Sequence, residues 1–455
     1  MNQRIILPLW LAGLLVGTYL SATVYSPASV EDVQQLVVNA RENDQTITIV
    51  GAGRGNSVKN NSKKDFYELK QDRMNGVISV DVKSKKITVQ PGITWAEILE
   101  AINPFGLSVA VMQSFCDFSV GGTIGVNAHG QDFRFAPIAQ TIDSMVIVDA
   151  QGSIKKLSRS ENNELFSLVI GGYGLFGVIV EVTLHLVDNV MLEKEVTIAD
   201  NAAVFAASKD FVLNNDIALY SARFDMGSCH FMERMLTITY KDTHEIINKP
   251  LKTIGAIEIL RGKAINTLFN LVRCNSFLRN ARIHLESALF EGAFYTRRTR
   301  NNAMYYKTGA LSHSDDKKIE ILQEYFVPLK NAEQFIQDAR RVLKKHGVDV
   351  LNCTLRYVKQ DTISYLPYAS ETVAAFVFYC MIDNNQTGFK MAKEWTCELV
   401  DTALKNNARF YLPYYCFATK EQVRMAYPEF DSFITLKKKY DPQELFVNDL
   451  YLTYQ

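Results

Sequence analysis

The sequence predicts an α+β fold in at least two domains behind an apolar N-terminal segment. Three observations carry this. Glycine-rich stretches near residues 51–57, 115–130 and 171–177 punctuate β-branched strand pairs and short helices. That order differs from the regular strand–helix alternation of a doubly wound sheet. Glycine then thins beyond about residue 190, and from about 320 strands and helices return as a sheet with covering helices. A chain of 455 residues is long enough to bury two separate cores.

The N-terminus carries one positive charge, Arg4, followed by an uncharged, mostly apolar stretch from Ile5 to about Val24. About 20 such residues suffice for a helix to cross a bilayer. Sites for signal-peptide cleavage around Ser21–Thr23 are poor, because Tyr19 or Leu20 falls at the −3 position for most cuts. An uncleaved anchor over residues 1–25 is the expectation, and the side of the membrane stays open.

Next, Ser29 stands as the N-cap of a helix with Val33, Leu36, Val37 and Ala40 on one face. The strand Thr46–Val50 leads into the first glycine loop. "GVISVDVKSKKITVQPG" alternates as a strand pair about a lysine-rich turn, and Thr94 with Glu97 forms a capping box for "TWAEILEAI". "DSMVIVDAQGSIKKLS" reads as a hairpin through Gln151–Gly152. "NELFSLVIGGYGLFGVIVEVTLHLV" follows as helix, glycine cluster and strand. The stretch 251–300 looks helical and basic; its faces either lie on an anionic bilayer or are ordinary solvated and core faces.

A net charge of zero gives no global pull toward nucleic acid. The seven cysteines are scattered singly with no C-x-x-C pair, which argues against a disulfide framework or a metal site. Small-molecule chemistry therefore has to come from the glycine loops. In "GAGRGNS" Gly51, Gly53 and Gly55 alternate, Asn56 stands where a dinucleotide fingerprint needs its last glycine, and no amphipathic helix follows. The nicotinamide reading fails. Successive backbone N–H groups in such loops can instead surround an anion such as a pyrophosphate.

In this frame residues 26–190 resemble the FAD-binding domain of the vanillyl-alcohol oxidase / p-cresol methylhydroxylase (PCMH-type) family. "GRGNS" sits at its pyrophosphate loop, "ITVQPGITWAEIL" at its strand–Pro-Gly–helix element, "FSVGGTIGVNAHG" at its flavin-side loop, and "ELFSLVIGGYGLFGVIVEVTLHL" at its closing strand. The resemblance implies FAD held by Ala52, Gly53, Arg54, Gly55, Asn56, Ser57, Val120, Gly121, Gly122, Thr123, Gly125, Asn127, His129, Gly130, Gly177 and Ile179, with Asn448 as a flavin-edge or structural contact. Family members that tether FAD through histidine carry it where this chain has Asn56, so non-covalent FAD is expected. Cys116 lies one residue too far from Val120–Gly121 for the cysteinyl pattern. His129 is read as packing beside the cofactor or, alternatively, as an acid–base group.

The C-terminal half resembles the sugar-type members: aldonolactone oxidases, alditol oxidases and decaprenylphosphoryl-ribose 2-oxidase. The shared frame is "YLPYY", then "MAYPEFDSFITLKKKYDP", then "FVNDL". This implies a substrate or cap domain over 191–420 and a C-terminal segment, 421–455, returning to the flavin. In alditol oxidases one strand presents Glu-x-Arg to the substrate; Arg356 matches the Arg, but Thr354 replaces the Glu. Tyr414 stands where the ribose oxidase has lysine.

Chemistry independently favours the same positions. Arg356 shares a strand face with Thr354 and either stabilises developing negative charge or forms a salt bridge. Glu324 is an acid on the apolar face of "LQEYFVP": it accepts a proton, binds a sugar hydroxyl, or pairs with Arg356. Tyr414 and Tyr415 either line the pocket or pack at an interface. The function expected is oxidation of an alcohol group on a sugar, polyol, aldonolactone or lipid-linked sugar by hydride transfer to FAD, with O₂, a quinone or a protein as final acceptor. A lipid double-bond reductase and a flavin-binding protein without turnover are the alternatives.

Overall fold

The computed structural model describes residues 4–6, 21–51, 66–214, 217–247, 249–251, 276–291, 296–307 and 316–455. The loop residues Ala52, Gly53, Arg54, Gly55, Asn56 and Ser57 lie outside them.

Three sheets follow one another along the chain. The first contains β1 (Arg4–Ile6), β2 (Ser21–Tyr25), β3 (Thr46–Val50) and β4 (Phe66–Lys70) in the order β1-β2-β4-β3, with β2 and β3 both parallel to β4. The helix Val30–Glu42 makes the crossover. Ser29 and Asp32 cap it reciprocally, and it buries Val33, Leu36, Val37 and Ala40 against the sheet. The anchor expectation needs correction at its ends. Ser21–Tyr25, rich in β-branched residues, is a strand beside β4 rather than the end of a helix, and Arg4–Ile6 pairs antiparallel with it. Residues 7–20 lie outside the described residues, and among those described no helix is long and apolar enough to cross a membrane.

The second sheet contains β5 (Val77–Asp81), β6 (Lys86–Val89), β7 (Leu107–Val109), β8 (Ile142–Val148), β9 (Ile154–Ser158) and β10 (Val178–Asp188). Its order is β5-β6-β10-β8-β9, with β7 joining the end of β10. The capping box at Thr94 and Glu97 forms and starts the helix Trp95–Ile102, which buries Trp95, Ile98, Leu99 and Ile102.

The third and largest sheet is antiparallel throughout: β11 (Val190–Asp200), β12 (Ile217–Phe224), β13 (Arg234–Ile246), β14 (Arg297–Thr299), β15 (Lys318–Pro328), β16 (Asp349–Val358), β17 (Val373–Asp383) and β18 (Arg409–Phe410), in the order β14-β11-β13-β12-β16-β17-β15-β18. Side chains alternate between its faces. Tyr325, Leu355, Phe376 and Phe378 go to one face, where Phe205 and Phe335 from the helices Asn201–Asn214 and Ala332–Lys345 pack on them. Glu324, Thr354, Arg356 and Val377 go to the other, toward the first two sheets.

That second face is held in place by buried polar ties. Arg300, 1% exposed, donates to Val109 O (3.1 Å), Ala110 O (2.7 Å) and Asp132 (2.6 Å). Part of the basic stretch 251–300 is therefore an internal clamp. Its described portion is also not all helix, since Arg297–Thr299 pairs with β11. The C-terminal segment closes the chain on β3: Ile47 N donates to Leu445 O (2.7 Å) and Val447 N to Ile47 O (3.0 Å).

Candidate active site

Beside the first sheet, Gly51 directly follows β3 and lies against Ser119 and Gly122 at the start of the helix Val120–Gly125. A Cβ on Gly51 would lie 3.0 Å from Ser119 Oγ and 3.1 Å from Gly122 Cα, so the two segments approach this closely because Gly51 lacks a side chain. Ser119 Oγ is buried and has no hydrogen-bond partner among the described residues. An unpaired buried hydroxyl costs about 1–3 kcal/mol, which a ligand's polar group would recover. Among the described residues nothing lies within 4 Å of a Cβ built on Gly125, which leaves open space there. A narrow glycine junction, an orphaned hydroxyl and free volume fit a dinucleotide such as FAD.

The remaining glycine-loop residues are fixed by the fold. Val120 N and Gly121 N donate to Ile93 O (2.9 Å) and Pro91 O (2.8 Å). Thr123 Oγ1 accepts from Trp95 Nε1 at 2.9 Å. Gly177 adopts φ +136°, and a Cβ there would sit 2.8 Å from Val148 O. Ile179 O accepts from Gln71 Nε2 at 2.6 Å. Asn448 caps the last helix through Tyr451 N (2.9 Å) and donates to Tyr173 O (2.9 Å), so its amide ties the C-terminus to the glycine cluster. Lys437 is fully buried on Asp441, whose carboxylate also accepts from Leu445 N and Phe446 N (both 2.9 Å). This pair shapes the returning segment.

On the sheet side, the structure gathers four predicted residues that are far apart in sequence. Glu324 is 3% exposed. His129 Nε2 lies 2.6 Å from its Oε1, and Tyr414 donates its hydroxyl to Oε2 at 3.1 Å. Nδ1 of His129 faces Gly130 O at 3.3 Å. Arg356 extends from β16 and donates to Ser114 Oγ, while its buried Nε has no partner among the described residues. Burial pulls the Arg356 guanidinium down from its ordinary value, opposed by the charge of Glu324 and by Tyr414. Burial pushes the Tyr414 phenol well up, and Glu324 adds to that.

Asn127, in a left-handed conformation (φ +49°), donates to Asp361 (2.7 Å) and Ser364 (3.2 Å); Tyr368 donates to its carbonyl at 2.8 Å. Tyr415 is not brought to Glu324: its ring stacks on Phe417 at 5.3 Å and meets Phe389 at 5.7 Å. Cys116 is a core residue, 0% exposed, its thiol pushed up to about 11 by burial and by Asp117. It offers no nucleophile to a flavin.

Sequence reasoning missed Ser114, Ser119 and Asp361. Ser114 and Asp361 act through partners brought in by tertiary folding, and Ser119, though inside "FSVGGTIGVNAHG", was not singled out from it.

Comparison with known proteins bears on this arrangement. Residues 21–158 match the FAD binding domain, and residues 288–454 match D-arabinono-1,4-lactone oxidase. The two matches follow one another along the chain, the FAD-binding match first. It is 29% identical over 170 residues to L-gulonolactone oxidase of Bos taurus, covering 37% of this chain and 38% of that protein. It is 36% identical over 162 residues to the mitochondrial L-galactono-1,4-lactone dehydrogenase of Arabidopsis thaliana, covering 35% and 26%. To D-arabinono-1,4-lactone oxidase of Yarrowia lipolytica (strain CLIB 122 / E 150) it is 29% identical over 177 residues, covering 38% and 33%. The matched stretches thus span well under two thirds of these relatives. Ser119 and Gly122 lie in the stretch that matches the FAD binding domain, while Glu324, Arg356 and Tyr414 lie in the stretch that matches D-arabinono-1,4-lactone oxidase.

Proposed function

We propose that the protein oxidises a hydroxyl-bearing carbon of an aldonolactone, or of a closely related sugar acid or polyol, with non-covalent FAD. The observation that carries this is the buried Glu324 carboxylate, placed between His129 and the half-exposed Tyr414 beside Arg356. FAD supplies the two-electron acceptor for the hydride leaving the alcohol carbon.

The chain's own residues handle the proton. The substrate hydroxyl donates to Tyr414 Oη, which already donates to Glu324 Oε2, so one proton enters the tyrosine as another leaves for the carboxylate. Tyr414 stays a phenol at rest, because burial and Glu324 hold its pKa well above the usual value. His129 orients the acceptor through Oε1. Arg356 places positive charge where oxygen charge develops. The glycine junction Gly51–Gly122 with Ser119 holds the cofactor's polar part. Membrane attachment through the apolar residues 7–20 belongs to the same reading, supported by composition alone; sedimentation of the full chain with membranes tests it.

Anaerobic mixing of the purified yellow protein with L-gulono-, L-galactono- and D-arabinono-1,4-lactone and with alditols should bleach the flavin. Absence of bleaching by all of them, with reduction by NADPH instead, would replace this reading by the double-bond reductase. Rapid recovery of colour in air marks O₂ as acceptor; persistent bleaching marks a quinone or protein.

A further inference from the structure

The strand β16, which carries Arg356, ends at Val358, and the connection from there to β17 reaches the segment Val126–His129. Four side chains from the C-terminal half tie this segment, one after another. Tyr411 donates its hydroxyl to Val126 O and Tyr368 donates to Asn127 O, both at 2.8 Å. Asp361 accepts from Asn127 Nδ2 at 2.7 Å, and Glu324 meets His129 Nε2 at 2.6 Å. The rings of Tyr368, Tyr411 and His129 all pack on Phe326 of β15, so the ties share one aromatic bed. The backbone that delivers His129 is thus fixed from the side of the large sheet, as its ring is.

Asp361 is the tie that an isosteric amide does not reproduce. It is buried, and its two oxygens accept from four neutral donors. Oδ1 takes Ile363 N (2.8 Å) and Ser364 N (3.2 Å), which folds the connection into an Asx turn. Oδ2 takes Ser364 Oγ and Asn127 Nδ2. Asn127 depends on that bond, because its backbone is left-handed (φ +49°) and its own Oδ1 accepts from Ala139 N at a longer 3.3 Å. His129 follows two residues later, so a shift of the Asn127 turn passes directly to the contact between His129 and Glu324. In Asp361→Asn the single amide oxygen keeps the Asx turn and an NH₂ group replaces Oδ2. Two NH₂ groups then face each other, and the Asn127 amide loses its acceptor.

We infer that Asp361 is a positioning residue for the reaction: through Asn127 it fixes the turn that holds His129 on the Glu324 carboxylate. This rests on the oxidoreductase reading above and deepens it. The β16–β17 connection then sets both sides of the site at once, since Arg356 precedes it on the strand and the Asn127–His129 turn is bound to its middle.

Two readouts test this, one of them independent of turnover. Isotopic labelling of the histidine nitrogens in the FAD-loaded full chain gives seven imidazoles to follow by NMR, and the His129 signal is the one missing from His129→Gln. In Asp361→Asn that signal should shift while the other six stay in place. Flavin reduction by the lactones at saturating substrate should slow about tenfold or more with KM within about twofold of wild type, because the proton acceptor is misplaced while substrate binding is left alone. The exchange variant Asp361→Asn/Asn127→Asp restores the pair with donor and acceptor reversed, and the carboxylate moved to position 127 still accepts from Ala139 N. It should regain the His129 signal and a reduction rate within about threefold of wild type, a rescue that a loss of general stability would not give. Asn127→Gly keeps the left-handed turn and removes the amide, so it should reproduce the loss even where Asp361→Asn does not fold. An unmoved His129 signal in Asp361→Asn or Asn127→Gly, unslowed reduction once it has moved, or an exchange variant no better than Asp361→Asn overturns the inference. A His129 signal that moves and is rescued, in a protein whose flavin no lactone or alditol reduces, leaves the positioning of His129 standing and defeats the oxidase reading instead.

Discussion

Replacing Glu324 by Gln tests the centre of the site with little change in volume. The wild-type carboxylate accepts on both oxygens, from His129 at 2.6 Å and Tyr414 at 3.1 Å. The amide has one accepting oxygen. If that oxygen keeps His129, the amide nitrogen faces Tyr414 Oη and donates to it, reversing the bond on which the proton relay depends. If it keeps Tyr414, the buried imidazole N–H loses its acceptor. Either orientation costs about 1–3 kcal/mol of stability, the price of one unmet buried donor or a lost charged contact. That is too little to unfold a chain of this size. Loss of the proton acceptor, by contrast, removes general-base assistance worth about 10²–10⁴ in rate. Stopped-flow flavin reduction at saturating substrate should therefore slow by at least about 100-fold, with FAD content and the far-UV spectrum unchanged. Tyr414→Phe should fall in the same range, and the double variant should be little worse than either single one, because both groups serve one relay. Reduction by Glu324→Gln within about threefold of wild type, with FAD bound, would refute the relay.

Other expectations follow from single contacts. Acid precipitation should release all the FAD into the supernatant, because Asn56 offers no ring nitrogen for a histidyl bond; yellow precipitate contradicts that. Gly177→Ala should lower the melting temperature, since φ +136° and a Cβ 2.8 Å from Val148 O combine strain with a clash, together about 1–3 kcal/mol. Burial resists ionisation of Glu286, but Arg282 and Arg223 outweigh it and hold its carboxyl below the ordinary 4.5. The stability this gives is present above pH 4.5 and is lost as pH falls through the lowered folded value, so Glu286→Gln should flatten the acid limb of a stability–pH curve; an unchanged limb counts against the triad.

Local signals in the sequence located most of the elements, because caps and alternation are short-range physics. Ser29 with Asp32 and Thr94 with Glu97 cap their helices as their spacing demands. The same locality explains the failures. Residues 21–25 continue an apolar run in sequence, yet become a strand because β4 offers them a ladder. Tyr414 and Tyr415 are indistinguishable in composition, and only tertiary packing sends one to Glu324 and the other to Phe417 and Phe389. Ser119 stood inside the quoted flavin-side loop but was not singled out, since an unmet hydroxyl is visible only once its surroundings are known.

Thr354, where the resemblance to alditol oxidases leads one to expect an acid beside the arginine, first suggests a disabled site. Sheet register argues otherwise. Thr354 faces Val377, and Val377 faces Glu324, so an acid stands in the same row two strands away and still acts on Arg356. A half-buried arginine cannot lose all nearby negative charge cheaply, because the charged form then bears its desolvation alone. An acid on β15 meets that need and also leaves the middle of the row occupied by two small side chains, Thr354 and Val377. Thr354→Glu should then set a surplus carboxylate beside Arg356 and draw its guanidinium away from the reacting oxygen, so flavin reduction by the lactones should slow about tenfold or more with FAD still bound. An unchanged rate in that variant would mean that Arg356 does not act in the reaction.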